Sequence, residues 1–319
     1  MGFFELLGAM GLTGLASIPL AAFLADRLLS NRLAQELAAH TARLNTAVNS
    51  AKAEVEARYR QEVELRLGDA AADRTYRVDA RRRLYQALGP LRFQLMVAAA
   101  EWANRVARFG SKDTSTYDMQ IEGHFFRSTA YRLLRLLAIA ELIERQIAYA
   151  DFAVDPDMRI LLKFKRQLGQ CLSSAEVSLG HEQEDWRIQR QHVFSDMLSS
   201  VTAAMVVFDG TQKVERVVRF DEFQVILDNP SLVKGLHPIP ALMTSFTIGS
   251  KPVLWLRMLA IAQLCIGLLE KHGQDLGLEL QLIEIERMLL LPDDKTINHQ
   301  KSKYLAALLH FRSVLGQPN

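Results

Sequence analysis

The sequence predicts a mostly α-helical protein: one apolar helix near the N-terminus, a helical stalk behind it, and an all-helical body with at most a minor β-hairpin. Three observations predict it. The 319 residues hold only 9 prolines and 17 glycines, so long stretches lack helix breakers. Apolar residues make up 49% and charged residues 23%, the balance of an ordered chain that can bury a core. The third is a single uncharged run placed at one end. The organisation read from these is an anchor over 1–27, a coiled-coil-like stalk over 28–68 and a helical domain over 69–319.

The first element is that run, Leu6 to Ala25, with 20 residues and no charge. A helix rising about 1.5 Å per residue then covers a hydrocarbon core of about 30 Å, so a transmembrane span is expected. Only Glu5 precedes it among charged residues, whereas a secretory signal carries Lys or Arg there. Leu6 occupies the position where a myristoylation signal needs Ser or Thr. A buried core helix is the alternative, since the glycines and Pro19 keep the hydrophobicity moderate. Arg27 and Arg32 follow the span closely, which places the N-terminus outside and the bulk in the cytoplasm, at the inner membrane. Cys171 and Cys265, far apart in apolar helical sequence, fit a reducing compartment. Ala9, Thr13, Ser17, Ala21 and Ala25 recur every fourth residue, and Gly8, Gly11 and Gly14 extend this thin surface. Such a stripe lets membrane helices pack closely, although small residues are common in any such helix.

Leu28 to about Leu67 continues the helix without Pro or Gly. Leu33, Leu37, His40, Leu44, Ala47 and Ala51 follow a 4-3-4-3-4 spacing, and Val55, Tyr59 and Val63 extend it at i+4 steps. The pattern suits a coiled-coil stalk or a long helix packed on the body. A second helical stretch is expected over 73–109 with a kink or break at Gly89-Pro90. Gly110 to Met119 reads as a loop. Further helices are expected over 121–152, from Asp155-Pro156 to Ser178, and over 185–207. Asp209-Gly210-Thr211 is a turn before a short strand at Val214–Phe220. Asp221 with Gln224 resembles a capping box, with Phe220 and Val225 as its hydrophobic staple. Val253 to Leu269 is apolar but interrupted by Arg257, leaving 12 uncharged residues, so it reads as a buried core helix. Amphipathic helices are expected over 276–291 and 301–315.

Chemistry is sparse. Gly249-Ser250-Lys251 lacks the upstream glycine of a phosphate loop, and the glycines at 267, 273 and 277 have the wrong spacing for a dinucleotide fingerprint. No Gly-x-Ser-x-Gly elbow occurs. His181 begins HEQED without a second histidine one turn on, and Glu122 with His124 reads as a helix entry. Cys171 has no nearby base and reads as an inert core thiol. No catalytic residue, metal or cofactor is therefore expected.

Net charge is +2, but Arg27 to Arg108 holds 15 Lys/Arg against 9 Asp/Glu, a local +6. The basic run Arg74, Arg77, Arg81, Arg82, Arg83, flanked by Tyr76 and Tyr85, is the sharpest charge feature. A solvated helix face is its first reading, a contact for a protein partner or lipid the second, and nucleic acid is not favoured, because Asp73 and Asp79 stand four residues before Arg77 and Arg83.

One span followed by a cytoplasmic helical body resembles the architecture of bacterial membrane-tethered interaction proteins and of membrane effectors in phage-defence (antiviral) systems. The likeness is one of architecture alone; the leading expectation is a single-pass, non-enzymatic protein that binds a cytoplasmic protein partner or its own copies as a homo-oligomer. The competing expectation is a small-ligand sensor or enzyme whose site is assembled from dispersed residues such as Arg132, Arg135, Glu141 and Glu144.

Overall fold

The computed structural model describes side chains over residues 22–110, 117–147, 158–178, 180, 191–211 and 213–316, and backbone alone at 3–21, 111 and 157. The described chain is mostly α-helical, with a single two-stranded sheet among the described residues. It divides into two compact units, Met1–Tyr76 and Arg77–Asn319.

The first unit is the N-terminal part of α1 (Phe3–Ser111). Every residue from Ala22 to Glu62 is exposed. With no core to bury, this helix leans on its own side chains. Glu54 pairs with Arg58 at 2.7 Å and Glu62 with Arg66 at 2.6 Å, both one turn apart. Each such pair contributes only about 0.3–0.5 kcal/mol.

The second unit begins with the C-terminal part of α1 and continues through α2 (His124–Ile147), α3 (Asp157–Ser173) and α4 (Ser195–Ala204). A hairpin follows, β1 (Val206–Asp209) against β2 (Val214–Val217), antiparallel with Val206 opposite Val217 and Asp209 opposite Val214. Its turn is held by the Asp209 carboxylate, which accepts from the Thr211 amide at 2.9 Å. Then come α5 (Phe220–Asp228), α6 (Ile239–Met243), α7 (Pro252–His272), α8 (Ile285–Leu289), α9 (Lys295–His299) and α10 (Lys301–Ser313).

The core is built around α7. Among the described residues it is the one helix long and apolar enough to cross a membrane, with a mean hydropathy of 1.8 over its most apolar stretch. That stretch is 89% buried inside the protein, which agrees with the reading of Val253–Leu269 as a core helix. Arg257 within it is fully buried and donates to the carbonyls of Gln191 at 2.9 Å, Cys171 at 3.1 Å and Ser174 at 3.1 Å. Two of these carbonyls lie at the C-terminal end of α3, where the helix dipole places negative charge. Cys171 and Cys265 are both buried, and burial pushes both thiols up, well out of the reactive range.

Several expected elements are corrected. Gly89-Pro90 does not end the helix; α1 runs through it. Leu84, Leu88 and Leu95 are buried on either side, and their burial offsets the backbone bond an exposed proline removes. The helix expected over 276–291 is mostly irregular, because Gly277 adopts a left-handed φ of 60° and only α8 is helical. Asn104 pins that irregular chain to α1, its side-chain amide donating to Glu279 O at 2.9 Å while its oxygen accepts from Gln281 N at 2.8 Å. The N-cap of α5 is Arg219, two residues before the expected Asp221: Glu222, not Gln224, reaches back, accepting the Arg219 amide at 2.6 Å. Val225 is 64% exposed and makes no staple. Parts of the helices expected over 121–152 and 185–207 and of the 110–119 loop lie outside the described residues, as does the HEQED segment.

Candidate functional site

The basic run is placed on α1. Arg74 belongs to the first unit and Arg77, Arg81, Arg82 and Arg83 to the second, and all five are exposed. Of the small-residue stripe, Ala25 is exposed, and the side chains of Ala9, Thr13, Ser17 and Ala21 lie outside the described residues. None of the five basic residues lines either of the two cavities described below.

The dispersed residues of the competing reading separate instead of converging. Arg135 pairs with Glu101 at 3.0 Å, while Glu141 and Glu144 both hold Lys165. Glu141 alone of the four lines a cavity of about 160 Å³ between α2, α3 and α4. A larger cavity of about 510 Å³, within the size range of ligand pockets, is walled by Ile121, Val233, Pro240 and Ala241, with Lys234, His237 and Thr244 as its polar groups. Among the described residues, no three His, Cys, Asp or Glu side chains gather to hold a metal.

One grouping was not expected from the sequence. Arg105 of α1 points into the α1–α2 interface, where it is only 7% exposed. It donates to the Ser128 hydroxyl at 2.9 Å and lies over the Phe125 ring, 4.5 Å from its centroid. Tyr117 stacks on the same ring at 4.0 Å. From α2, Arg132 also donates to the Ser128 hydroxyl and to the Ser128 carbonyl at 3.0 Å. Positions 101, 105 and 108 share one face of α1, and 125, 128, 132 and 135 one face of α2, which is why the groups meet.

The electrostatics of this cluster are unbalanced. Burial pulls the Arg105 guanidinium down to about 10, and the charges of Arg132 and Arg108 push the same way. Burial also lowers Arg132, with Glu101 opposing. Among the described residues neither Arg105 nor Arg132 forms an ion pair, because Glu101 is engaged by Arg135. Desolvating an unpaired ion costs several kcal/mol, and a cation–π contact returns about 2 kcal/mol at best, so the cluster keeps an excess of positive potential. Arg257 shows the balanced alternative, with three carbonyls around one guanidinium. The signal in the sequence was Arg105 itself, set between Trp102 and Phe109 on the buried stripe of α1.

No protein-family model, curated protein or solved structure matches this chain.

Proposed function

We propose that this is a membrane-anchored, non-enzymatic protein that assembles with its own copies through the first unit, leaving the helical domain in the cytoplasm to meet a protein partner. The observation that carries the reading is the exposed seam of α1. Leu33, Leu37 and Leu44 are 56%, 61% and 52% exposed, and Val55 and Tyr59 are more so. A lone helix in water has little to stabilise it, whereas burying an aliphatic side chain contributes about 1.5–3 kcal/mol. The 4-3-4 spacing of that seam suits knobs-into-holes packing against an identical helix. The uncharged run Leu6–Ala25 lies on the same continuous helix, so the anchor and the assembling seam share one element. A sensor reading has one observation in its favour, the acceptor-poor cluster around Arg105.

The test uses the full chain, its Leu37→Glu/Leu44→Glu variant, carbonate-washed membranes and the mass of the detergent-solubilised particle. The chain is expected to stay with the membrane and to weigh a multiple of 36.0 kDa, falling to one protomer in the variant. Release by carbonate removes the anchor, and a monomer in both forms removes the assembly.

A further inference from the structure

We propose that Arg105, Arg132 and Ser128 form a binding site for the phosphate group of a small soluble ligand. The inference stands apart from the assembly reading, since every residue it uses lies in the second unit.

The hydrogen-bond inventory points to an acceptor. Ser128 is buried and receives both guanidinium groups on its hydroxyl oxygen, which leaves its own O–H to donate. Among the described residues no acceptor takes that proton. Two cations therefore meet at one hydroxyl, Ser128, whose own proton is left to donate. Other arginines of the same unit have their acceptors in the protein: Arg127 has Asp228, Arg216 has Glu222, Arg135 has Glu101 and Arg257 has three carbonyls.

Charge selects the class of ligand. A single carboxylate would balance one of the two guanidinium groups, whereas a phosphate monoester carries about −1.5 to −2 and offers three acceptor oxygens. Guanidinium forks match those oxygens in pairs. Exposure grades outward from buried Arg105 through half-buried Arg132 to exposed Arg108, so the cluster opens to solvent on one side.

Calorimetric titration of the full-length, detergent-solubilised protein tests the assignment. The probes are inorganic phosphate, pyrophosphate and AMP at constant ionic strength, with phosphatidic acid vesicles as a separate arm. At least one soluble phosphate is expected to bind below about 1 mM, and Arg132→Gln is expected to weaken it tenfold or more while the unliganded circular dichroism spectrum is unchanged. Arg105→Met should abolish binding; should that variant misfold, the half-exposed Arg132 position decides. Absence of binding by all three soluble phosphates, binding to vesicles alone, or an affinity unchanged in Arg132→Gln would overturn the proposal.

Discussion

Gly267 lies in the middle of α7, where replacing glycine by alanine ordinarily stabilises a helix by up to about 1 kcal/mol. Here the sign reverses. A Cβ at this position would meet the backbone oxygen of Arg312 at 2.1 Å, because α10 crosses α7 at van der Waals distance. Backbone cannot rotate away as a side-chain tip can, so the two helices must separate. Gly267→Ala is expected to cost about 1–3 kcal/mol, and more if α10 loses its place. A thermal melt reads this directly; an unchanged or raised melting temperature would show that α10 is not held against α7. The sequence allowed no such reading, since a glycine in an apolar run is equally a flexible point or a close approach. Arg105 was obscure for the same reason. Its burial follows from a partner helix 23 residues away, and only its position on the Trp102–Phe109 stripe hinted at it.

At the scale of elements, what periodicity dictates came through and what tertiary pairing dictates did not. The helical character of α1, the burial of α7 and the short hairpin at the Asp209 turn were legible in the sequence. Yet α1 runs on through Gly68 and Gly89-Pro90, where a break was expected, and α7 proves long and apolar enough to cross a membrane but is buried in the core. The expected helix over 276–291 failed because Asn104 offers the 279–281 backbone the hydrogen bonds a helix would have supplied. The start of α5 moved because Glu222 also serves Arg216, at 2.7 Å through both of its oxygens, so one carboxylate ties β2 to the helix entry. This junction should be sensitive to acid. The Arg216 guanidinium, helped by the Arg219 amide, holds the Glu222 carboxyl down to about 2. A carboxyl whose folded value lies below its unfolded value of about 4.3 contributes stability that is present above that pH. The contribution is lost as pH falls from about 4.3 toward 2. Stability measured by urea titration is therefore expected to decline across that window, and Glu222→Gln should lower stability at neutral pH while flattening the decline. An equally steep decline in the variant would assign the acid sensitivity to other carboxylates. The side chain is partly exposed, so solvent screening keeps the effect modest.

At the scale of the whole molecule, the two units differ in what holds them together. The second has a continuous core running from Leu84 to Leu315, and its hydrogen-bonded backbone is shielded by that core. The first has exposed residues from Ala22 to Glu62 and ion pairs confined to its own helix. Local opening is governed by buried apolar area, so the free energy for exposing backbone amides should be high in one unit and low in the other. Association changes that balance by mass action, because a copy that packs on the seam protects only the folded helix. Hydrogen exchange on the detergent-solubilised chain can separate these contributions. Amides over 28–66 are expected to be protected at high protein concentration and to lose that protection on dilution, by roughly tenfold in rate for each 1.4 kcal/mol of stabilisation withdrawn. Amides of α7 should exchange at the same slow rate throughout, since their protection comes from within one chain. The Leu37→Glu/Leu44→Glu variant should behave at every concentration as the diluted parent does. Protection over 28–66 that persists on dilution in both proteins would mean that the helix is stabilised without a second copy, and the assembly reading would fall while the phosphate site in the second unit would stand.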